Sequence, residues 1–218
     1  MDTSPRIKNI YQLLYQKYGP QGWWPGDTKL EYVLGAILTQ NTSWKNVEKA
    51  ISNLKSLDLI SANKLKLLSV DELALLIKPS GYYNQKAIKI KYFINFLFEN
   101  YSGDLDKLFK EDIQTLRNNL LHIKGIGPET ADSIILYGAV KPIFVIDAYT
   151  YRIFSRHGIV PEETNYNEMQ ELFMDSLEHE PTIFNEYHAL IVKLGKEHCK
   201  KRKPICTGCP LEGDPHTV

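Results

Sequence analysis

Four groups of residues have types and spacing suited to chemistry. Asp147 ends the apolar run Ile143-Phe144-Val145-Ile146 and opens a helical pattern, Ala148 to Phe154. A carboxylate at a helix N-terminus is kept ionised by the dipole, and can stabilise developing positive charge or orient a water; its plain alternative is a helix cap. Gly125-Ile126-Gly127, followed by Pro128, lies between two helical patterns. Glycines there allow positive φ and the close approach of a second molecule, and the N–H groups of the helix opened by Pro128 suit an anion such as phosphate. Trp23-Trp24-Pro25 sits in a glycine-flanked loop, either as a hydrophobic plug or as the flat aromatic wall of a ligand pocket. Cys199, Cys206 and Cys209 are the 3 cysteines of the chain, all close to its C-terminus. An odd, clustered set argues for a metal or cluster site rather than a disulfide framework.

These groups are carried by helical patterns. Ser4-Pro5 reads as a cap and first-turn proline, leading a helix with Ile7, Ile10, Leu13 and Leu14 on one face. Leu34, Ile37 and Leu38 fit a second helix and Val47, Ile51 and Leu54 a third, separated by the polar break Thr39-Gln40-Asn41-Thr42. Ser69-Val70-Asp71-Glu72 is a capping box. Pro79-Ser80-Gly81 stops that helix, and a basic helix follows from Gln85 to Asn100. A short helix is expected at Leu105 to Phe109, and another at Asp112 to His122, where the glycine hairpin begins. Two more are expected, about Tyr166 to Leu177 and Ile183 to Lys196. Ile143 to Ile146 alone resembles a strand, and four residues do not make a sheet, so the fold class is all-α.

At 218 residues, 43% apolar and 24% charged, the chain has the composition of an ordinary globular protein with ample core. No apolar run reaches the length of a membrane span and the first residues lack a signal-peptide pattern, so a cytoplasmic location without a membrane partner is expected. The formal net charge is +0, so nucleic-acid binding must rest on local clusters. Two exist, Lys86, Lys89 and Lys91 on one helix and Lys200 to Lys203 near the cysteines; the plain reading of each is a solvated face.

The stretch from Leu121 to Arg156 resembles the helix-hairpin-helix and trailing aspartate of the endonuclease III superfamily of DNA glycosylases. Leu38-Thr39-Gln40-Asn41-Thr42 matches that family's first-helix motif, and Gly81-Tyr82-Tyr83-Asn84-Gln85-Lys86-Ala87 the segment before its basic helix. Leu194-Gly195-Lys196 with Cys199-x6-Cys206-x2-Cys209 matches the approach to its iron–sulfur loop. The resemblance implies two helical lobes with a DNA cleft between them. One is a helical barrel over 29–131; the other joins 1–28 to 132–218 and carries the cysteine loop. It also implies a monomer acting on double-stranded DNA that contains a damaged base.

In that family the hairpin clamps phosphates through main-chain amides, with a monovalent cation at its carbonyls. The matching positions are Lys124, Gly125, Gly127, Glu129 and Thr130. Asp147 matches the catalytic carboxylate. Members that also cut the strand carry a Schiff-base lysine 18 residues before it, where this chain has Glu129. Glutamate cannot form an imine, so the resemblance implies a monofunctional glycosylase without lyase activity. Gln40 and Tyr82 fall where residues fill or brace the gap left by the flipped base. The tryptophan-proline loop and the aromatic after QNT look most like the 3-methyladenine glycosylase branch. Its base pocket would be lined here by Trp23, Trp24, Pro25 and Trp44, for an alkylated purine. The alternatives are a mismatch uracil or thymine glycosylase and a non-catalytic DNA-binding module. The family's 4Fe–4S spacing would put a fourth cysteine where this chain has Pro215; His216, one residue on, is a candidate replacement ligand, and an exogenous thiol or water is the other option. A zinc ion, or a degenerate loop, is the competing reading of the cysteines.

Overall fold

The computed structural model describes residues 3–217; Met1, Asp2 and Val218, part of the segments 1–28 and 132–218, lie outside the described residues. All regular structure among these residues is helical, and the chain divides into two compact units, Gly26–Val140 and Met1–Pro25 with Lys141–Val218.

The first helix, α1 (Ser4–Tyr18), belongs to the discontinuous unit. The continuous unit runs through α2 (Lys29–Leu38), α3 (Trp44–Ser56), α4 (Ala62–Leu67), α5 (Val70–Leu76), α6 (Tyr83–Tyr101), α7 (Leu105–Lys110), α8 (Ile113–Leu121) and α9 (Pro128–Ser133). Its boundaries follow local chemistry. Thr28 caps α2 by accepting from Glu31 N–H, and Ser69 and Glu72 form both halves of the expected capping box. The core collects Val33, Leu34, Ile37 and Leu38 of α2, Val47, Ala50 and Leu54 of α3, and Ile90, Phe93, Ile94 and Leu97 of α6, all essentially water-free. After α9 the helix loosens into a π turn, Ile134–Gly138, buried throughout and packed on α2. This carries the unit past residue 131, the end expected of the barrel, to Val140.

In the discontinuous unit, α10 (Ala148–Arg156), α11 (Tyr166–Ser176) and α12 (Pro181–Glu197) join α1. Phe144 stacks on Phe173 with ring centres 4.2 Å apart, while Phe154 meets Phe173 edge-on at 4.7 Å. Buried Tyr187 donates its hydroxyl to Ile7 O at 2.8 Å, tying α12 to α1. The run Ile143 to Ile146 is buried, has no regular structure and pairs with no strand among the described residues. Buried backbone groups need partners, and α11 supplies two of them: Gln170 Nε2 donates to Phe144 O at 2.6 Å, and Tyr166 Oη accepts from Ile146 N at 3.4 Å.

The basic helix corrects the expectation of a solvated lysine face. Lys86 is 2% exposed, and its ammonium donates to Leu38 O at 2.8 Å and Ser80 O at 2.7 Å. Lys91 caps the C-terminal end of α4 through Leu65 O, Lys66 O and Leu68 O. Lys89 donates to Gln40 Oε1. These cations hold the unit together.

Candidate active site

Asp147 is the N-cap of α10, and one oxygen fulfils that role. Oδ1 accepts from Thr150 N at 2.8 Å and from Thr150 Oγ1 at 2.9 Å. Oδ2 points elsewhere, 3.7 Å from His188 Nε2 on α12. The two side chains are only 12% and 7% exposed. Burial alone would push the Asp147 carboxyl up; His188 and the Thr150 bonds outweigh it and hold the group below the usual carboxylate range. The outcome is an ionised, nearly dry carboxylate with one oxygen spent on the cap. Such a group can stabilise a neighbouring cation or accept a proton from water. His188 escaped the sequence reading. Its one signal was a histidine inside the apolar run of α12, which looks like an ordinary core residue.

Gly195 explains how α10 and α12 come so close. A Cβ there would stand 2.1 Å from a ring carbon of Tyr149, so only glycine leaves room for the tyrosine beside Asp147. The Arg152 guanidinium carbon lies over that ring, 4.9 Å from its centre.

In the continuous unit, the hairpin between α8 and α9 divides its glycines. Gly125 has φ +91 and packs on the Lys89 stem, where an added Cβ would meet Cγ at 2.6 Å. Gly127 does not have the expected positive φ. Its backbone is extended, at φ −96, and no atom lies within 4 Å of where its Cβ would be, so its lack of a side chain leaves an open surface for a second molecule. Gln40 reaches this hairpin from the end of α2, donating to Thr130 Oγ1 at 2.9 Å and to Gly125 O at 3.3 Å. Its amide thus braces the hairpin, and Thr130 is buried beneath it. Glu129 is exposed in the first turn of α9, and Lys124 is exposed with its ammonium 5.9 Å from the Tyr92 ring centre. Tyr82 is 73% exposed with φ 46, an outward aromatic held by an unusual backbone.

Trp23 and Trp24 belong to the discontinuous unit, are joined by a cis peptide, and have ring centres 5.6 Å apart. Trp24 is buried, Trp23 half-buried and Pro25 exposed. Lys196 Nζ lies 5.7 Å from the Trp23 ring centre, so this indole face already attracts a cation. Trp44, at the start of α3 in the other unit, is half-buried and donates to Glu48 Oε1 at 2.9 Å.

The cysteine loop hangs on the far end of α10. Arg152 Nε donates to Cys199 O at 2.8 Å, and Arg156 Nη1 donates to Cys199 Sγ at 3.2 Å and Lys200 O at 2.8 Å. Cys199, Cys206, Cys209 and His216 line one shared, partly open cavity. Among the described residues no three histidine, cysteine or carboxylate side chains converge on a point as a single ion would require. Three thiols around a shared space are donors that fit a thiolate-held group in this loop.

The model of the HhH-GPD superfamily of base excision DNA repair proteins matches residues 34–179, and the chain belongs to that family. A protein of Methanocaldococcus jannaschii named as a candidate DNA repair glycosylase is 49% identical over 211 residues, with 94% of each chain covered. Endonuclease III of Sulfolobus acidocaldarius is 32% identical over 180 residues, covering 82% of this chain and 78% of that one. The solved 3-methyladenine DNA glycosylase of H. pylori, bound to 1,N6-ethenoadenine, superposes with a TM-score of 0.77 at 29% identity, covering 90% of this chain and 98% of that one. The family is one of DNA glycosylases, which act on DNA carrying a damaged base. Among the described residues no helix is long and apolar enough to cross a membrane.

Proposed function

We propose that the chain is a monofunctional glycosylase that hydrolyses the N-glycosidic bond of a flipped, alkylated purine such as 3-methyladenine. The observation that carries this reading is the Asp147 carboxylate, ionised, nearly dry, and with Oδ2 not engaged in the helix cap. As the bond breaks, its electron pair leaves with the cationic base, which departs neutral. The positive charge passes to the sugar, where Asp147 stabilises it. A water then adds to C1′, and Asp147 accepts or directs the proton that water gives up.

Glu129 supports the absence of strand cutting. It occupies the position where the family's strand-cutting members carry a lysine, and a carboxylate offers no amine for an imine. The aromatic residues Trp23, Trp24 and Trp44, with Pro25, support a cationic purine, because an indole face binds positive charge without needing a particular hydrogen-bonding edge. Main-chain groups of the hairpin around Gly125 and Gly127 would hold the DNA backbone, with a monovalent cation at its carbonyls, and Tyr82 would enter the gap left by the base. The cysteine loop would carry a 4Fe–4S cluster held by Cys199, Cys206 and Cys209. When bound, the cluster supplies a fixed cross-link of the loop; the chemistry at the sugar belongs to Asp147.

A glycosylase assay across a lesion panel tests the reading, run with and without alkaline cleavage of the product. Free 3-methyladenine released from alkylated DNA, with strand breaks only after alkali, is the expected result. Activity confined to G·U or G·T duplexes would replace the substrate, and strand cutting without alkali, or a borohydride-trapped adduct, would remove the monofunctional assignment. No base release from any lesion would leave a DNA-binding module.

A further inference from the structure

The three cysteines leave a 4Fe–4S cluster one protein ligand short, and the residue at the fourth family position, Pro215, has none to give. The neighbouring segment is nevertheless built rather than loose. Asp214 is gripped by Arg6, whose Nε donates to Oδ1 at 2.9 Å, and by His157, whose Nδ1 lies 2.6 Å from Oδ2. Arg6 also donates to Pro215 O at 2.8 Å, and Thr217 N donates to Arg156 O at 2.7 Å. Four anchors from α1 and the end of α10 thus fix both sides of His216.

His216 itself has one ring nitrogen occupied. Nδ1 lies 2.7 Å from Asp214 O. A carbonyl can only accept, so Nδ1 carries the hydrogen, and Nε2 is the nitrogen whose lone pair the neutral ring offers to a ligand site. The ring packs against His157 with centres 5.2 Å apart and lines the same cavity as the three thiols. A backbone carbonyl on one imidazole nitrogen is the arrangement that orients a histidine for metal binding through the other. A four-iron cube separates its ligands more widely than a single ion does, in keeping with side chains that ring a cavity without converging.

From this geometry we infer that His216 is the fourth protein ligand of the cluster, through Nε2, giving a three-cysteine, one-histidine site. The inference rests on the cluster reading above. Imidazole ligation in place of thiolate removes one negative charge from the site and raises its reduction potential.

The test uses the full chain purified anaerobically, with iron and sulfide analysis and pulsed EPR of the reduced protein labelled with 15N-histidine. The expected result is about four irons per chain and a directly bonded nitrogen coupling. That coupling should vanish in His216→Ala, with one iron lost. His216→Cys should keep about four irons, lose the nitrogen coupling and titrate at a lower potential. A four-iron cluster without nitrogen coupling, unchanged in His216→Ala, would overturn the ligand and leave the cluster. Absence of iron and sulfide from the wild type would overturn both.

Discussion

Replacing Asp147 by asparagine separates the two roles of that side chain. The amide oxygen can still accept from Thr150 N and Thr150 Oγ1, now made at 2.8 and 2.9 Å, so the α10 cap is kept and stability should change by under about 1 kcal/mol. What disappears is the charge. The side chain is 12% exposed, a setting in which an effective dielectric near ~20 applies, and a sugar cation about 4 Å away is then worth about 4 kcal/mol. That corresponds to a fall of about 10³-fold in the rate of base release. Single-turnover excision from alkylated duplex DNA, with DNA affinity and thermal unfolding measured on the same sample, reads all three quantities. A rate within tenfold of wild type, with binding unchanged, would show that the carboxylate is only a helix cap.

Other perturbations follow from the same geometry. Lys196→Met should increase excision of a cationic base a few-fold, up to about tenfold, because it frees the Trp23 face, and should leave neutral lesions unaffected; competition assays on both substrates check this. Arg117 makes a bidentate pair with fully buried Asp132, so Arg117→Ala should cost about 3–5 kcal/mol in urea unfolding, whereas the apolar pair Arg117→Met with Asp132→Leu should recover most of it. Burial, with Lys89 nearby, pushes Lys86 down to about 8 from 10.5. Between those values the unfolded chain binds the extra proton, so this lysine makes stability rise with pH across the window. Lys86→Met should remove that rise, seen as the pH-dependent difference between the two unfolding curves.

The sequence carries the local elements well, for a physical reason. Helices such as α1 and α6 bury a stripe at regular spacing, and caps such as Ser69 with Glu72 act within one turn, so both can be recognised locally. Asp147 was legible for the same reason, being a cap after an apolar run. What could not be read depends on which way a side chain turns in three dimensions. Lys86 and Lys91 look like solvent-facing charges until carbonyl ends of other segments are brought to them. His188 gains meaning only when α12 lies against the head of α10. Gly127 and Gly125 are identical in sequence terms, yet one is extended and the other left-handed. The π turn at Ile134–Gly138 has no composition that separates it from an α-helix.

The discontinuous unit also sets an order of assembly. Residues 26–140 form a continuous body that leaves the ribosome before residues 141–218, so the glycine hairpin can be folded while α10 is still unmade. The head of α10 acquires His188 and Gly195 only after α12 has been synthesised, and Arg6 and Ile7 of α1 likewise wait for Asp214 and Tyr187. A chain cut short soon after Val140 would therefore keep the hairpin and lack the carboxylate. On the proposed reading, such a fragment would hold DNA without releasing a base.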